Sequence, residues 1–403
     1  MRRAALLAAG AVALLLAGCV ACAWVEGAPL VPEDAGRAGG GTLGLFFLVL
    51  LAAAFAAYLG ALLLLRRAPP GLRPVIAVAV VIQLLPLGAP LLLSTDAWAY
   101  WQYGRIAAVH DANPYVDRPS AFPDDPAYEH AGAAWRDTTS VYGPAFTLLS
   151  EAVALVAGSS AAAAAWIFKV LAALSVLACT LLAARLARDR PGAAALVGWN
   201  PLLAIHFGGG GHNDALMIAG ALGALALAGS SRRGLAGATW VVAILVKWVP
   251  VVLFALRALD AGRTRRRVGH LGFAAAAAAL GVVATWRYGL HWFGAFGPLA
   301  RNAEEQTSFA LPHRLEQAGL PREVVVVLAA TALAVGFVWL GREALGGRVR
   351  LGLAGCLLLA TTPWLTPWYA IWAVPLAAAD GDRVARLLSL AFCAYLLPQT
   401  IPL

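Results

Sequence analysis

Charge is scarce in this sequence: Asp, Glu, Lys and Arg make up 13% of the 403 residues, against 61% hydrophobic residues. Soluble domains average about one-quarter charged residues, so a soluble globule is excluded, and a mean hydropathy of +0.76 agrees. Cysteine is sparse too. Cys19, Cys22, Cys179, Cys356 and Cys393 all lie in apolar stretches, which excludes a disulfide framework or a zinc knuckle. No polar block is long enough for a separate soluble domain, and no internal repeat of the kind that builds many transporters is present. The chain therefore reads as one all-α, polytopic integral-membrane unit over 1–403.

Several runs reach the roughly 20 apolar residues needed to cross a hydrocarbon core. Clear spans are expected near 4–24, 43–65, 72–93, 161–185, 268–288, 322–341 and 384–402. Shorter or broken ones are expected near 145–157, 192–207, 213–229, 234–258, 350–363 and 368–380, about 11–13 membrane helices in all. Leu16-Ala17-Gly18-Cys19 matches a lipoprotein cleavage box, although an uncleaved first helix is the better reading of a Leu/Ala-rich segment. In a soluble protein a net charge of +9 would point to nucleic acid. Here the basic residues cluster in short loops (Arg2-Arg3, Arg66 to Arg73, Arg185 to Arg190, Arg232-Arg233, Arg263 to Arg267 and Arg342 to Arg350), which is the positive-inside bias. It places these loops in the cytoplasm and makes the partners membrane lipids rather than nucleic acid. The acidic 26–34 loop, the 94–144 loop and the 287–321 loop then lie outside. The 145–157 segment is short for a span and is expected to be tilted or re-entrant.

Against this background the polar residues stand out. The loop from Ser94 to Pro144 carries seven of the 21 acidic residues. Asp96 follows directly on an apolar run, where it either helps cap a helix from Ala97 to Val109 or serves as a general base whose basicity rises with partial desolvation. Trp98, Trp101 and Ile106 share a face of that helix, which suggests an interfacial position. Asp124-Asp125 in the Pro-rich stretch reads as solvated. Arg105 or Arg136 is able to grip a phosphate through its planar fork, or else to hold Asp111, Asp137 or a lipid head group.

A second cluster runs from Asn200-Pro201 through His206 and Gly208 to Gly211 into His212-Asn213-Asp214. The glycines permit close approach to a ligand, and exposed amides at a helix start favour an anion. Lys247 sits in mid-segment beside Trp248 and Pro250. An unpaired ammonium at that depth costs about 2.5–3.5 kcal/mol, so two half-helices broken there, with the lysine turned to the aqueous side, are expected. Arg301, in the 287–321 loop, is a further cation. Trp364, Trp368 and Tyr369 flank prolines and either stack on a sugar or form an interfacial belt, the belt being favoured for Trp364 and Trp368.

Taken in order, these pieces resemble the GT-C glycosyltransferases, and within them the polyprenol-phosphomannose-dependent mannosyltransferases of actinobacteria that build α-1,6-mannan cores. The carrying residues are Asp96, Ala99-Tyr100, Gly104, Asn113-Pro114-Tyr115, Trp135-Arg136 and Tyr142-Gly143-Pro144. Asn200-Pro201-Leu202, Gly211-His212-Asn213-Asp214, Lys247 with Pro250, and Pro367-Trp368-Tyr369 complete the match over most of 72–380. The resemblance implies a GT-C-like bundle whose large first outer loop is catalytic and whose acid, Asp96, is the base. It implies transfer of a sugar, mannose first, from a polyprenyl-phosphate donor to a glycan or glycolipid acceptor at the outer face of the cytoplasmic membrane. Lys247, Arg136 and Arg301 would meet the donor phosphate. Arg105, Tyr142, His206, His212, Asn213, Asp214, Trp368 and Tyr369 would line the substrates. Ala97-Trp98 stand where many members carry a second acidic or polar residue, so no cofactor is indicated and a divalent metal stays an alternative. A lipid-linked sugar flippase and a non-catalytic glycolipid-binding envelope protein are the rival readings.

Overall fold

The structure is a computed structural model that describes residues 2–32, 41–230, 232–263 and 269–403. The end of the acidic 26–34 loop and the arginines at 265–267 fall outside the described residues. Among the described residues every regular element is a helix. Arg2–Ala23, Gly41–Arg67, Ala161–Leu186, Arg322–Leu345 and the segment from His270 are long and apolar enough to cross a bilayer, and shorter apolar helices accompany them. The protein is thus a multi-pass, all-helical membrane protein.

The first two helices lie along one another. Ala5, Ala9, Val12, Leu16 and Cys19 are fully buried at the helical three-and-four spacing that puts them on one face. The alanines of this face let backbones approach closely where lipid supplies no hydrophobic drive. His270–Tyr288 and Arg322–Leu345, by contrast, keep most of their apolar surface outside the protein's own packing.

Prolines cut several expected spans. The run from 72 is helical only over Leu72–Leu84, then tightens into a 3₁₀ turn at Leu85–Gly88. Pro86 and Pro90 cannot continue a helical hydrogen-bond ladder. The last helix, Arg383–Leu396, stops just before Pro398. Pro144–Ala157 has 14 residues, about 21 Å of rise against a hydrocarbon core of about 30 Å, and Gly158 turns the chain directly into Ala161–Leu186. At the Lys247 break, Arg233–Val246 ends, Lys247 is extended, and Pro250 opens the next helix.

The outer-loop helix Asp96–Ala108 departs from its expected interfacial position. Every residue from Asp96 to Ala107 is buried, because the helix is wedged between Pro144–Ala157 and Ala161–Leu186 under the rest of the loop. Gly104 makes the crossing possible: a Cβ there would lie 2.1 Å from the Ser150 carbonyl oxygen. The Trp98 indole donates to the Ala161 carbonyl and the Tyr103 hydroxyl to the Thr138 carbonyl.

Candidate active site

The segment Leu85–Thr95 and the turn Gly208–Gly211 are pressed together, and that contact builds the site. A short π-helix spans Ala204–Gly209, a rare form that recurs at functional sites. A Cβ on Gly208 would lie 2.8 Å from the Gln83 carbonyl oxygen, and one on Gly209 would lie 2.9 Å from Leu92. The Leu92 amide donates to the Gly209 carbonyl. Gly211, at φ +74°, turns the chain in the left-handed region. These glycines were expected to approach a ligand. They instead receive the strand of chain that leads into Asp96, and they bring it to His212.

The result is a contact across 116 positions: His212 Nδ1 lies 3.1 Å from Asp96 Oδ2. His212 is fully buried, stacked on Trp368 with ring centres 3.7 Å apart. Asp96 does not cap its own helix. Its backbone amide donates to the Ser94 hydroxyl, while its carboxylate turns to His212. Burial pushes the Asp96 carboxyl up. The His212 hydrogen bond, the charges of His212 and Lys247, and Ser94 outweigh it, holding the group below the ordinary carboxylate range.

Asp214 does not cap either. Both its oxygens accept from Lys247 Nζ, at 2.8 and 2.9 Å, and Oδ1 also accepts from the Trp372 indole at 2.7 Å. The ammonium sits 5.0 Å from the Tyr369 ring centre and 6.0 Å from that of Trp372.

Asp96 and Lys247 open onto one cleft of about 420 Å³. Trp135, Thr138, Val141 and Tyr142 line it from the outer loop, and Trp248 and Val249 from the break. Leu299 and Glu305 come from the second outer loop, and Thr362 to Trp372 supplies the far wall with Trp364, Thr366, Trp368 and Tyr369. The Thr366 hydroxyl and the Trp248 indole N–H are buried there without a protein partner. Seven of these wall residues are Trp or Tyr, a surface suited to sugar rings and their hydroxyls because aromatic faces are apolar while the Tyr and Trp tips hydrogen-bond.

The proposed site residues therefore divide. Asp96, Tyr142, Lys247, Trp368 and Tyr369 line the cleft. His212 and Asp214 stand behind the wall, each bonded to a residue that lines it. His206 is buried 5.8 Å from Trp368, ring to ring, and the Asn213 amide is buried without a protein partner. Arg105 is elsewhere: it grips Asp125 at 2.8 Å and donates to the Gly158 carbonyl, and His110 also bonds Asp125. Asp125, expected to be solvated, is thus buried, and these bonds hold its carboxyl low against the raising effect of burial. Asp111 meets Arg287 instead. Arg136 lies over Tyr128, and Arg301 is exposed on Phe296–Glu304; neither lines the cleft. Trp368 is no interfacial belt residue, being 8% exposed.

The sequence carries no sign of Trp372 and Lys169 as site residues, and Glu305 and Thr366, which lie in polar or aromatic runs, have no assigned role there. Lys169 is 2% exposed within Ala161–Leu186, and its ammonium donates to the Leu87, Ala89 and Pro90 carbonyls, pinning the segment that enters Asp96. Only the general rule that a lysine in an apolar run needs partners wherever it occurs bears on it from the sequence. Among the described residues no group of three or more His, Cys, Asp or Glu is gathered as a metal would require.

Comparison with known proteins gives two kinds of match. The sequence profile described as "Alpha-(1->6)-mannopyranosyltransferase, N-terminal domain" matches residues 5–261. The chain is 34% identical over 173 residues to "Alpha-(1->6)-mannopyranosyltransferase A" of Mycobacterium tuberculosis, covering 40% of this chain and 32% of the relative. It is 28% identical over 145 residues to the protein of the same name from Corynebacterium glutamicum, covering 35% and 29%. The chain spans about a third of the length of the curated relatives it matches. No solved structure matches it.

Proposed function

The chain belongs to the alpha-(1->6)-mannopyranosyltransferase family, and from that premise we propose that it transfers mannose from a polyprenyl-phosphate donor to a glycan or glycolipid acceptor. The reading is carried by one observation: Asp96 and Lys247, a carboxylate and an ammonium, stand on the wall of the same aromatic cleft. An inverting transfer needs a group of each sign. The acceptor oxygen forms a bond to the anomeric carbon as its proton passes to Asp96. The anomeric carbon–oxygen bond to phosphate breaks on the opposite face, and the leaving phosphate departs with the electron pair toward Lys247. A positioned base contributes on the order of 10²–10⁴ in rate, and a cation aimed at developing charge adds to it.

His212 supports the role given to Asp96. It orients the carboxylate and helps hold it in its proton-accepting form. The proposal sets the cleft on the outer face of the cytoplasmic membrane, and the positive-inside bias of the arginine-rich loops supports that side. No resident metal is invoked, because the carboxylates of Asp96 and Asp214 are already engaged by His212 and Lys247. Activity is therefore expected to persist in excess EDTA. A loss restored by Mn²⁺ or Mg²⁺ would show that a cation takes part.

The deciding experiment is transfer from radiolabelled polyprenyl-phosphomannose to a mannoside acceptor, in membranes carrying equal folded amounts of wild type and Asp96→Asn. Transfer by the wild type and its loss by on the order of 10²-fold or more in the variant is the expected result. Equal transfer by both would remove Asp96 as the base, and no transfer by the wild type would reject this donor.

A further inference from the structure

Asp214 lies in the same polar motif as His212, and spacing alone suggests that both reach the substrate. The geometry says otherwise for the carboxylate. Asp214 is fully buried and lines no part of the cleft. Both its oxygens accept from Lys247, and one accepts from Trp372 as well, so little acceptor capacity is left for a sugar hydroxyl. Lys247 is the member of the pair that reaches the cleft, with 16% of its side chain exposed.

We propose that Asp214 is a positioning residue for Lys247, acting on the donor phosphate only through that ammonium. The proposal rests on the glycosyl-transfer reading above. A lysine side chain is a flexible four-carbon stem carrying three donors. Left free at the Lys247 break it would sample many rotamers, and ordering it on binding would cost affinity. Three groups remove that freedom. Both Asp214 oxygens accept from the ammonium, and Tyr369 and Trp372, stacked 3.9 Å apart, offer ring faces beside it. The Trp372 indole in turn fixes Asp214. The ammonium's remaining donor capacity is left for the cleft. The carboxylate itself is held at the first residue of Asp214–Ala228, where the helix dipole favours negative charge. The arrangement prepares a cation for an anionic group and also neutralises it inside the protein while the cleft is empty.

The test combines Asp214→Asn, Lys247→Met and the double variant of the full-length protein, in detergent, with radiolabelled polyprenyl-phosphomannose as donor. Each single change is expected to raise the donor KM by about tenfold or more and to leave the acceptor KM in place. The double variant is expected to match the worse single one, because both remove the same interaction. Donor KM effects that multiply would overturn the proposal, as would an Asp214→Asn effect confined to the acceptor KM. Thermal unfolding of the same proteins reads the pairing without any turnover. Lys247→Met strands a buried carboxylate, which is strongly destabilising. Adding Asp214→Asn is expected to recover part of the lost Tm, and no recovery would overturn the proposal. A wild type that transfers nothing would reject the glycosyl-transfer reading while leaving this second measurement to decide the pairing.

Discussion

At the scale of single residues, Asp96 is set by opposing effects whose balance can be moved. Burial disfavours its charge; His212, with help from Lys247 and Ser94, favours it and prevails. A carboxyl held low in the folded state contributes stability above the unfolded value of about 3.9 and loses it as pH falls through the lower folded value. His212→Phe keeps a ring on Trp368 but removes the Nδ1 bond, leaving burial less opposed. The acid limb of kcat/KM is expected to move to higher pH, and an unmoved limb would show that His212 does not govern the charge. Lys247→Ala is expected to raise the donor KM more than the acceptor KM, and an unchanged donor KM would take the ammonium out of the phosphate site. Asp96, His212, Asp214 and Lys247 could be picked from the sequence because polar groups inside apolar runs are conspicuous. Their pairings could not. Arg105 had several acids within loop reach, and only the folded loop selects Asp125. Trp372 follows the Trp364 to Tyr369 run with no mark of its own in the sequence, and only the folded chain sets its indole on Asp214.

At the scale of elements, the site depends on helices that stop early and on glycines that let backbones touch. Apolar runs located the helices well, but their lengths were overestimated at Leu72–Leu84 and Arg383–Leu396, where prolines end them inside the run. The break at Lys247 was legible for the same reason, since Pro250 and a mid-segment cation both argue against one continuous helix. The burial of Asp96–Ala108 was not legible. Its Trp and Tyr residues fit an interface equally well, and only the close crossing at Gly104 shows that the helix lies inside. Gly104→Ala places a methyl group against the Ser150 carbonyl, a backbone atom that cannot swing away. Overpacking of this kind costs about 1–3 kcal/mol, so a lowered Tm is expected together with reduced kcat, because the shifted helix carries Asp96. An unchanged Tm would show that the two helices can separate at no cost.

At the scale of the whole molecule, one cleft takes its wall from four regions far apart in sequence: the first outer loop, the Lys247 break, the second outer loop and the Thr362 to Trp372 turn. All four must open on one side of the membrane, which limits how the intervening helices can cross. The half-length helices follow from this. A chain that must bring polar groups from four places to one depth cannot use only full spans, and irregular backbone at membrane depth is tolerated where it lines a cavity. Which side the cleft faces is then a single binary question. The positive-inside rule, read on the arginine-rich loops, argues for the outer side, and cysteine labelling tests that proposal. The five native cysteines are buried, so a membrane-impermeant maleimide should leave the parent protein unmarked. Glu305→Cys, exposed at the cleft, is expected to react in intact cells. Arg232→Cys, exposed in a basic loop, is expected to react only after lysis. The reverse pattern would turn the molecule over and place the cleft in the cytoplasm. Labelling of both in intact cells would show that Arg232 and the cleft share a side, breaking the odd number of crossings that the loop charges require between them.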